Sequence, residues 1–328
     1  MKRIIACFIL LFTNGIFICH AQLLNGFHPT GTFNEQEITI NGQWPNVIAN
    51  INAPLSIDAK KKTELVFFTL PNGNSIEWTK GKKMQPGDDW HFDIQHIAAQ
   101  TRFVRQTDNK SNYIIVYLMA EQKSWPAWKR TTHDSLHLIK SIVDSITHIF
   151  EAYHPSIILN SHSGGGSFII GFIDAVKEIP DNIERIAFLD SDYGYEDSLH
   201  TNKLVQWLKN SDNHKLVVLA YNDSLVIFNG KPLVSATGGT WYRTRLMQRS
   251  LARSFKFNTF SDTAFITHEA LHKRIMIVLK ENPNGAIYHT VQVERNGFIL
   301  SLFSDTKFDK RKYFTYFGKR VYENYIGD

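Results

Sequence analysis

The stretch Ser156 to Ala175 constrains this chain more than any other. Ile157-Ile158-Leu159 is an apolar run too short for a helix, and it suits the centre of a parallel sheet. It ends at Ser161-His162-Ser163-Gly164-Gly165, a variant of the G-x-S-x-G turn with serine in place of the first glycine. Phe168, Ile169, Phe172 and Ile173 then recur at helical spacing, giving a core-facing stripe. A strand entering a helix through so tight a turn tolerates only small residues two before and two after Ser163. A flexible glycine turn would carry the same letters, but the strand before it and the helix after it favour the tight turn.

From about residue 65 onward, apolar runs alternate with helical patterns. Strands are expected at 65–70, 113–119, 183–189, 215–220 and 274–279. Amphipathic helices are expected within 88–106, over 134–150, over 199–208, up to about Phe255 and around 291–303. Ahead of them, 37–40 and 47–51 read as strands joined by an Asn41-Gly42 turn. Trp125-Pro126-Ala127-Trp128 reads as an aromatic loop. The alternation predicts an α/β fold with a mainly parallel central sheet flanked by helices. With short connections and no repeat or composition break, residues 22–328 read as one domain, with 224–272 partly covering the site.

The first 21 residues read as a secretory signal: Lys2 and Arg3, a mostly apolar run from Ile4 to Ile18, and Cys19-His20-Ala21 before Gln22. The expected location is therefore secreted or periplasmic, with no stable membrane insertion after cleavage. Both cysteines fall inside this segment, so the remainder lacks thiol and disulfide chemistry. The formal net charge is +5, two units of it from Lys2 and Arg3, which is too balanced to imply nucleic acid. Lys60-Lys61-Lys62 and Lys310-Arg311-Lys312 are short runs that suit solvated surface.

With the serine turn, the element order and a late histidine in place, the chain resembles the α/β-hydrolase superfamily, as a serine esterase-like member without an identified subfamily. The resemblance covers most of the chain after the signal at the level of element order. That family orders its triad as nucleophile, acid, histidine. It implies Ser163 as nucleophile and His289, after the last strand, as the base. The acid falls on Asp223, after the strand two beyond the serine turn. Asp192 is the alternative, since Asp190 and Asp192 follow the preceding strand, which some members use. His162 points away from such a turn and is not expected to be the base.

The oxyanion of an acyl-transfer reaction needs backbone N–H donors. Gly164 supplies one. Asn72-Gly73, in the loop after Leu70, resembles the family's His-Gly and puts the second at Asn74. The resemblance thus implies an exported hydrolase cleaving an ester of a small molecule or a glycan through an acyl-enzyme, with no metal or organic cofactor and no nucleic-acid partner.

Two features pull elsewhere. His268-Glu269-Ala270-Leu271-His272 matches H-E-x-x-H, which on a helix places two histidines on one face for Zn²⁺ with the glutamate as base of a metalloprotease. Lys273 and the strand-like 274–279 leave it little room for a helix. The tryptophans Trp78, Trp90, Trp125, Trp128 and Trp241 sit in or near expected loops. They suit an aromatic cleft for sugars or aromatic acyl groups, in an enzyme or in a non-catalytic carbohydrate-binding protein, equally with loop packing.

Overall fold

Apolar residues that alternate between two faces need cover on both sides, and β6 (Ser156–His162) shows how this chain supplies it. Ile157 and Leu159 face one buried cluster while Ile158 faces another. The computed structural model describes residues 23–328, so the signal segment lies outside the described residues.

In chain order, β1 (His28–Thr30), β2 (Glu35–Trp44) and β3 (Val47–Pro54) form an antiparallel start. Asn41-Gly42 is not the expected turn. β2 runs on through a bulge there, where Gly42 takes φ 77°, and the chain turns at Asn46 with φ 54°. Then come β4 (Lys62–Thr69), α1 (Ile76–Lys80), α2 (Ile97–Thr107), β5 (Ser111–Ala120), α3 (Trp125–Thr131) and α4 (Ser135–Ile149). β6 leads into α5 (Gly166–Ala175), followed by β7 (Ile183–Leu189), α6 (Asp197–Asn210) and β8 (Lys215–Tyr221). The hairpin β9 (Ile227–Phe228) and β10 (Lys231–Pro232) precedes α7 (Thr240–Leu251), β11 (Asn258–Ser261), β12 (Phe265–Ala270), β13 (Ile275–Lys280) and α8 (Phe298–Phe303).

One sheet of eleven strands runs β1-β2-β3-β5-β4-β6-β7-β8-β13-β12-β11. Its centre, from β5 through β13, is parallel, and its two ends are antiparallel. This is the mainly parallel sheet expected from the alternation. Helices α3, α4, α5, α6 and α7 cover one face. Helices α1, α2 and α8 and the C-terminal Phe308, Phe314 and Tyr322 cover the other. Every residue of β6 is buried, as a strand covered on both faces requires.

Two expectations give way to local chemistry. Trp125 to Trp128 is the start of α3, not a loop: Ser124 caps it through Ala127, Pro126 sits in the first turn, and both tryptophans are buried. The expected helix within 88–106 splits into a one-turn 3₁₀ segment, Trp90–Asp93, and α2, because His96 adopts φ 52° between them. In the 224–272 region, α7 buries Met247 and Leu251 against the sheet, and β11 and β12 extend the sheet's edge. The H-E-x-x-H segment therefore lies on β12 and the turn after it. Neighbouring strand residues alternate sides, and His272 has φ 54°, so His268 and His272 do not share a helical face. His268 instead pairs with Thr259 across the β11–β12 ladder, and Glu269 with Lys273.

Candidate active site

Ser163 occupies the step between β6 and α5 with φ 55°, a left-handed conformation that costs a serine about 1–3 kcal/mol and persists only where the surroundings impose it. The surroundings are backbone. A Cβ on Gly165 would lie 2.1 Å from the Thr69 carbonyl oxygen, and one on Gly166 only 1.6 Å from that of Ser191. The ends of β4 and β7 thus press on the turn from both sides. Thr69 Oγ1 donates to the Gly165 carbonyl at 2.9 Å and pins it. The small residue two before the serine has the same reason. Ser161 is fully buried, and its hydroxyl lies 2.7 Å from that of Ser191, so it is a structural hydroxyl.

Ser163 is partly exposed, and with Gly164 it lines a cavity of about 590 Å³ that also involves Asn72, Pro126, Lys129 and Tyr193. Gly164 belongs to the first turn of a helical segment, where N–H groups lack intrahelical partners. The expected second donor does not face this cavity. Asn74 is buried, and its N–H is directed back to the Pro71 carbonyl at 3.4 Å. The Gly73 N–H is spent on the Lys123 carbonyl at 2.8 Å. Asn72 is the residue of this loop at the cavity. Its backbone N–H has no partner among the described residues, and its side-chain amide lies directly against Gly164.

His289 sits in the segment between β13 and the final helical region. Asn282 ties that segment down, accepting from Ala286 N at 2.9 Å and donating to the Asn222 carbonyl. The ring of His289 packs 4.7 Å from that of His162, the residue before Ser163, and the His289 carbonyl lies 3.1 Å from His162 Nε2. His162 is fully buried, and burial, with His289 adding to it, holds its pKa well below the usual value. It is neutral. Its two ring nitrogens face two oxygens, Nε2 the His289 carbonyl at 3.1 Å and Nδ1 the Gln95 side-chain oxygen at 3.2 Å, and the neutral ring has one N–H to donate between them. His162 thus points away from the cavity and packs against His289.

The carboxylate partner of His289 is Asp190. Asp190 Oδ2 accepts the hydrogen bond from His289 Nδ1. Neither Asp223 nor Asp192, the two expected acids, makes this contact. Asp190 stands immediately after β7 with φ 51° and is fully buried. Its other oxygen accepts from Thr240 Oγ1. Asp223 instead caps α7, accepting the Thr240 N–H at 2.8 Å. Gly239 makes room for it, since a Cβ there would lie 2.4 Å from the carboxylate oxygens. Asp192 accepts from Thr244 Oγ1 at 2.8 Å, one turn further along the same helix.

Three carboxylates thus share one buried corner. Burial, reinforced by Asp190, raises Asp223 to about 6 against the helix N–H groups that lower it. Burial likewise raises Asp192 to about 8, with Thr244 lowering it and Asp190 raising it. Burial thus disfavours the ionised form of Asp192, which makes it a weaker partner for a cationic imidazole than a carboxylate held ionised. A second histidine near the cavity, His200, has no free nitrogen. Its Nδ1 accepts from Glu196 N at 2.8 Å and its Nε2 meets Asp174 at 3.0 Å. Among the described residues, no group of three or more histidine, cysteine or acidic side chains is placed to hold a metal.

Sequence reasoning places the second donor at Asn74 rather than Asn72, and favours Asp223 and then Asp192 over Asp190. The signal for Asp190 lay in what occupies its rival, because Gly238-Gly239-Thr240 opens a helix that needs a capping carboxylate.

No protein-family model matches the chain, and no curated protein matches it. Among solved structures it is similar to a thermostable esterase, at 13% identity and a TM-score of 0.47, covering 86% of this chain and 63% of that one. It is also similar to a siderophore hydrolase from Aspergillus nidulans, at 10% identity and a TM-score of 0.42, covering 84% and 97%. A third is esterase 2 of Thermogutta terrifontis phosphorylated by paraoxon, at 10% identity and a TM-score of 0.42, covering 87% and 98%. The mainly parallel sheet covered by helices on both faces, with the strained serine between β6 and α5 and the histidine after β13, is the α/β architecture expected from the sequence.

Proposed function

We propose that the protein is a serine hydrolase of the esterase type, working through Ser163, His289 and Asp190. The observation that carries this reading is the His289–Asp190 hydrogen bond, made by a histidine packed against the residue before a strained serine. Asp190 fixes Nδ1 of His289 as the protonated nitrogen, leaving Nε2 as the base.

In the first half-reaction, Ser163 Oγ attacks the ester carbonyl carbon while His289 Nε2 takes the hydroxyl proton. The negative charge that develops on the carbonyl oxygen is met by the Gly164 N–H and by Asn72. The tetrahedral intermediate collapses, the bond to the leaving alkoxide breaks, and His289 returns the proton to it. In the second half, water attacks the acyl carbon with His289 as base, the bond to Ser163 Oγ breaks, and the acid is released. Asp190 stabilises the imidazolium in both halves. The same reading makes the protein exported, on the basis of its first 21 residues.

Turnover of short p-nitrophenyl esters tests it. Wild-type protein hydrolyses them, and Ser163→Ala reduces kcat/KM at least about a thousandfold with its melting temperature preserved. Undiminished hydrolysis by Ser163→Ala would refute the assignment.

A further inference from the structure

Three rings beside the Asn72 loop form a continuous stack. Trp78 and His91 lie 4.2 Å apart with 13° between their planes, and His91 and Trp90 lie 3.9 Å apart with 27° between theirs. His91 is sandwiched between the two indoles. The Lys123 ammonium sits 4.6 Å from the Trp78 ring and closes the inner end. The outer end is open, because Trp90 is 64% exposed.

This stack is held rather than loose. Asp89 accepts hydrogen bonds from both the backbone N–H and the ring Nδ1 of His91. Asp88 pairs with Lys82 at 2.6 Å and accepts from Gln85 N at 2.7 Å, closing the loop that carries Trp90. An indole fixed in this way has already lost most of the rotamer freedom that binding would otherwise cost.

The stack is linked to the site through the 71–74 loop. Trp78 lies on α1, which follows the 71–74 loop, and Lys123 accepts the Gly73 N–H through its carbonyl. The next residue back, Asn72, lines the Ser163 cavity.

We propose that the Trp78–His91–Trp90 stack is a binding platform for the pyranose rings of a glycan ester, with the face of Trp90 as its contact. This rests on the hydrolase reading for the ester bond and names the kind of molecule that carries it. The C–H face of a pyranose is flat, apolar and slightly positive, and it matches the negative face of an indole. The carboxylates of Asp88 and Asp89, in the same loop as Trp90, are acceptors suited to the ring hydroxyls. A nucleic acid is disfavoured, because Asp88 and Asp89 lie in the same loop as the rings and the Lys82 charge is already paired. A lipid surface is disfavoured by the same charges.

The test separates binding from chemistry. Ser163→Ala protein is titrated by calorimetry with acetylated xylo-oligosaccharides, acetylated manno-oligosaccharides and cello-oligosaccharides. The platform predicts measurable binding to at least one class. It also predicts a loss of about tenfold or more when Trp90→Ala is added, and no loss when the exposed aromatic Phe260 on β11 is replaced instead. Melting temperatures check that each variant is folded. In the active enzyme, Trp90→Ala raises KM for the oligosaccharide ester by a similar factor. Absence of binding to all three classes, or binding that ignores Trp90→Ala, overturns the platform. Failure of the wild type to hydrolyse p-nitrophenyl esters, with Trp90-dependent binding intact, would refute the hydrolase reading and leave the platform standing.

Discussion

The carboxylate of Asp190 accepts the Nδ1–H of His289, joining residues 99 positions apart in sequence. Thr240, at the first turn of α7, hydrogen-bonds the same carboxylate and also lies 3.4 Å from Asp223. One helix N-terminus therefore holds both aspartates, one aimed at the histidine and the other at the helix itself.

That division predicts different consequences for two conservative changes. Asp190→Asn keeps the shape but loses the charge that stabilises the imidazolium, so kcat on an ester substrate falls by about 10³–10⁴. Asp223→Asn leaves the His289 partner in place and lowers kcat by no more than about tenfold. Its main effect is on α7, at a cost of about 1 kcal/mol in urea unfolding. A reversed order of the two kcat losses would return Asp223 to the triad.

Asp192 makes stability depend on pH. Its folded pKa of about 8 lies above the roughly 3.9 of an unfolded aspartate, so the native state binds the extra proton between those values. Stability is accordingly highest near the acid end of that window and falls as pH rises through it, by up to about 1.4 kcal/mol per pH unit from this group alone. Asp223, raised to about 6, adds to the fall over its lower half. Asp192→Asn removes the larger contribution. Its melting temperature at pH 8 should exceed that of the wild type, and the gap should shrink towards pH 5. Parallel curves for the two proteins would show that Asp192 is ionised when folded.

Gly166 has ordinary helical dihedrals, with φ −56°, so only space forbids a side chain there. A Cβ 1.6 Å from the Ser191 carbonyl oxygen cannot be absorbed by a rotamer change, because the clash is with backbone. Gly166→Ala should cost about 3 kcal/mol or more and separate β7 from the serine turn. The urea midpoint reads this directly, and a midpoint equal to that of the wild type would show the two strands to be further apart.

Much of this arrangement is legible in the sequence because it rests on local periodicity. The β6 strand, Ser163, the α5 stripe and the parallel centre all follow from apolar spacing and small residues. What escaped depends on where side chains turn. Asp190, Asp192 and Asp223 all follow strands, and spacing does not reveal which of them the 282–290 segment reaches. Asn72 and Asn74 differ only in how the loop twists. Strand β11 is an exposed edge strand and β12 beside it is mostly half-buried, so neither carries a clear apolar pattern. The α3 helix is legible in its start signal, Ser124 at the cap with Pro126 in the first turn, which outweighs the loop that Trp125 to Trp128 suggest.

The central claim is that Ser163 is an activated nucleophile, and covalent labelling tests it most directly. Wild-type protein is treated with a fluorophosphonate probe, and the adduct is mapped by mass spectrometry of the digested protein. A single adduct on Ser163 is predicted, absent from Ser163→Ala and formed far more slowly in His289→Ala. No adduct, or one at another serine that survives Ser163→Ala, would contradict it.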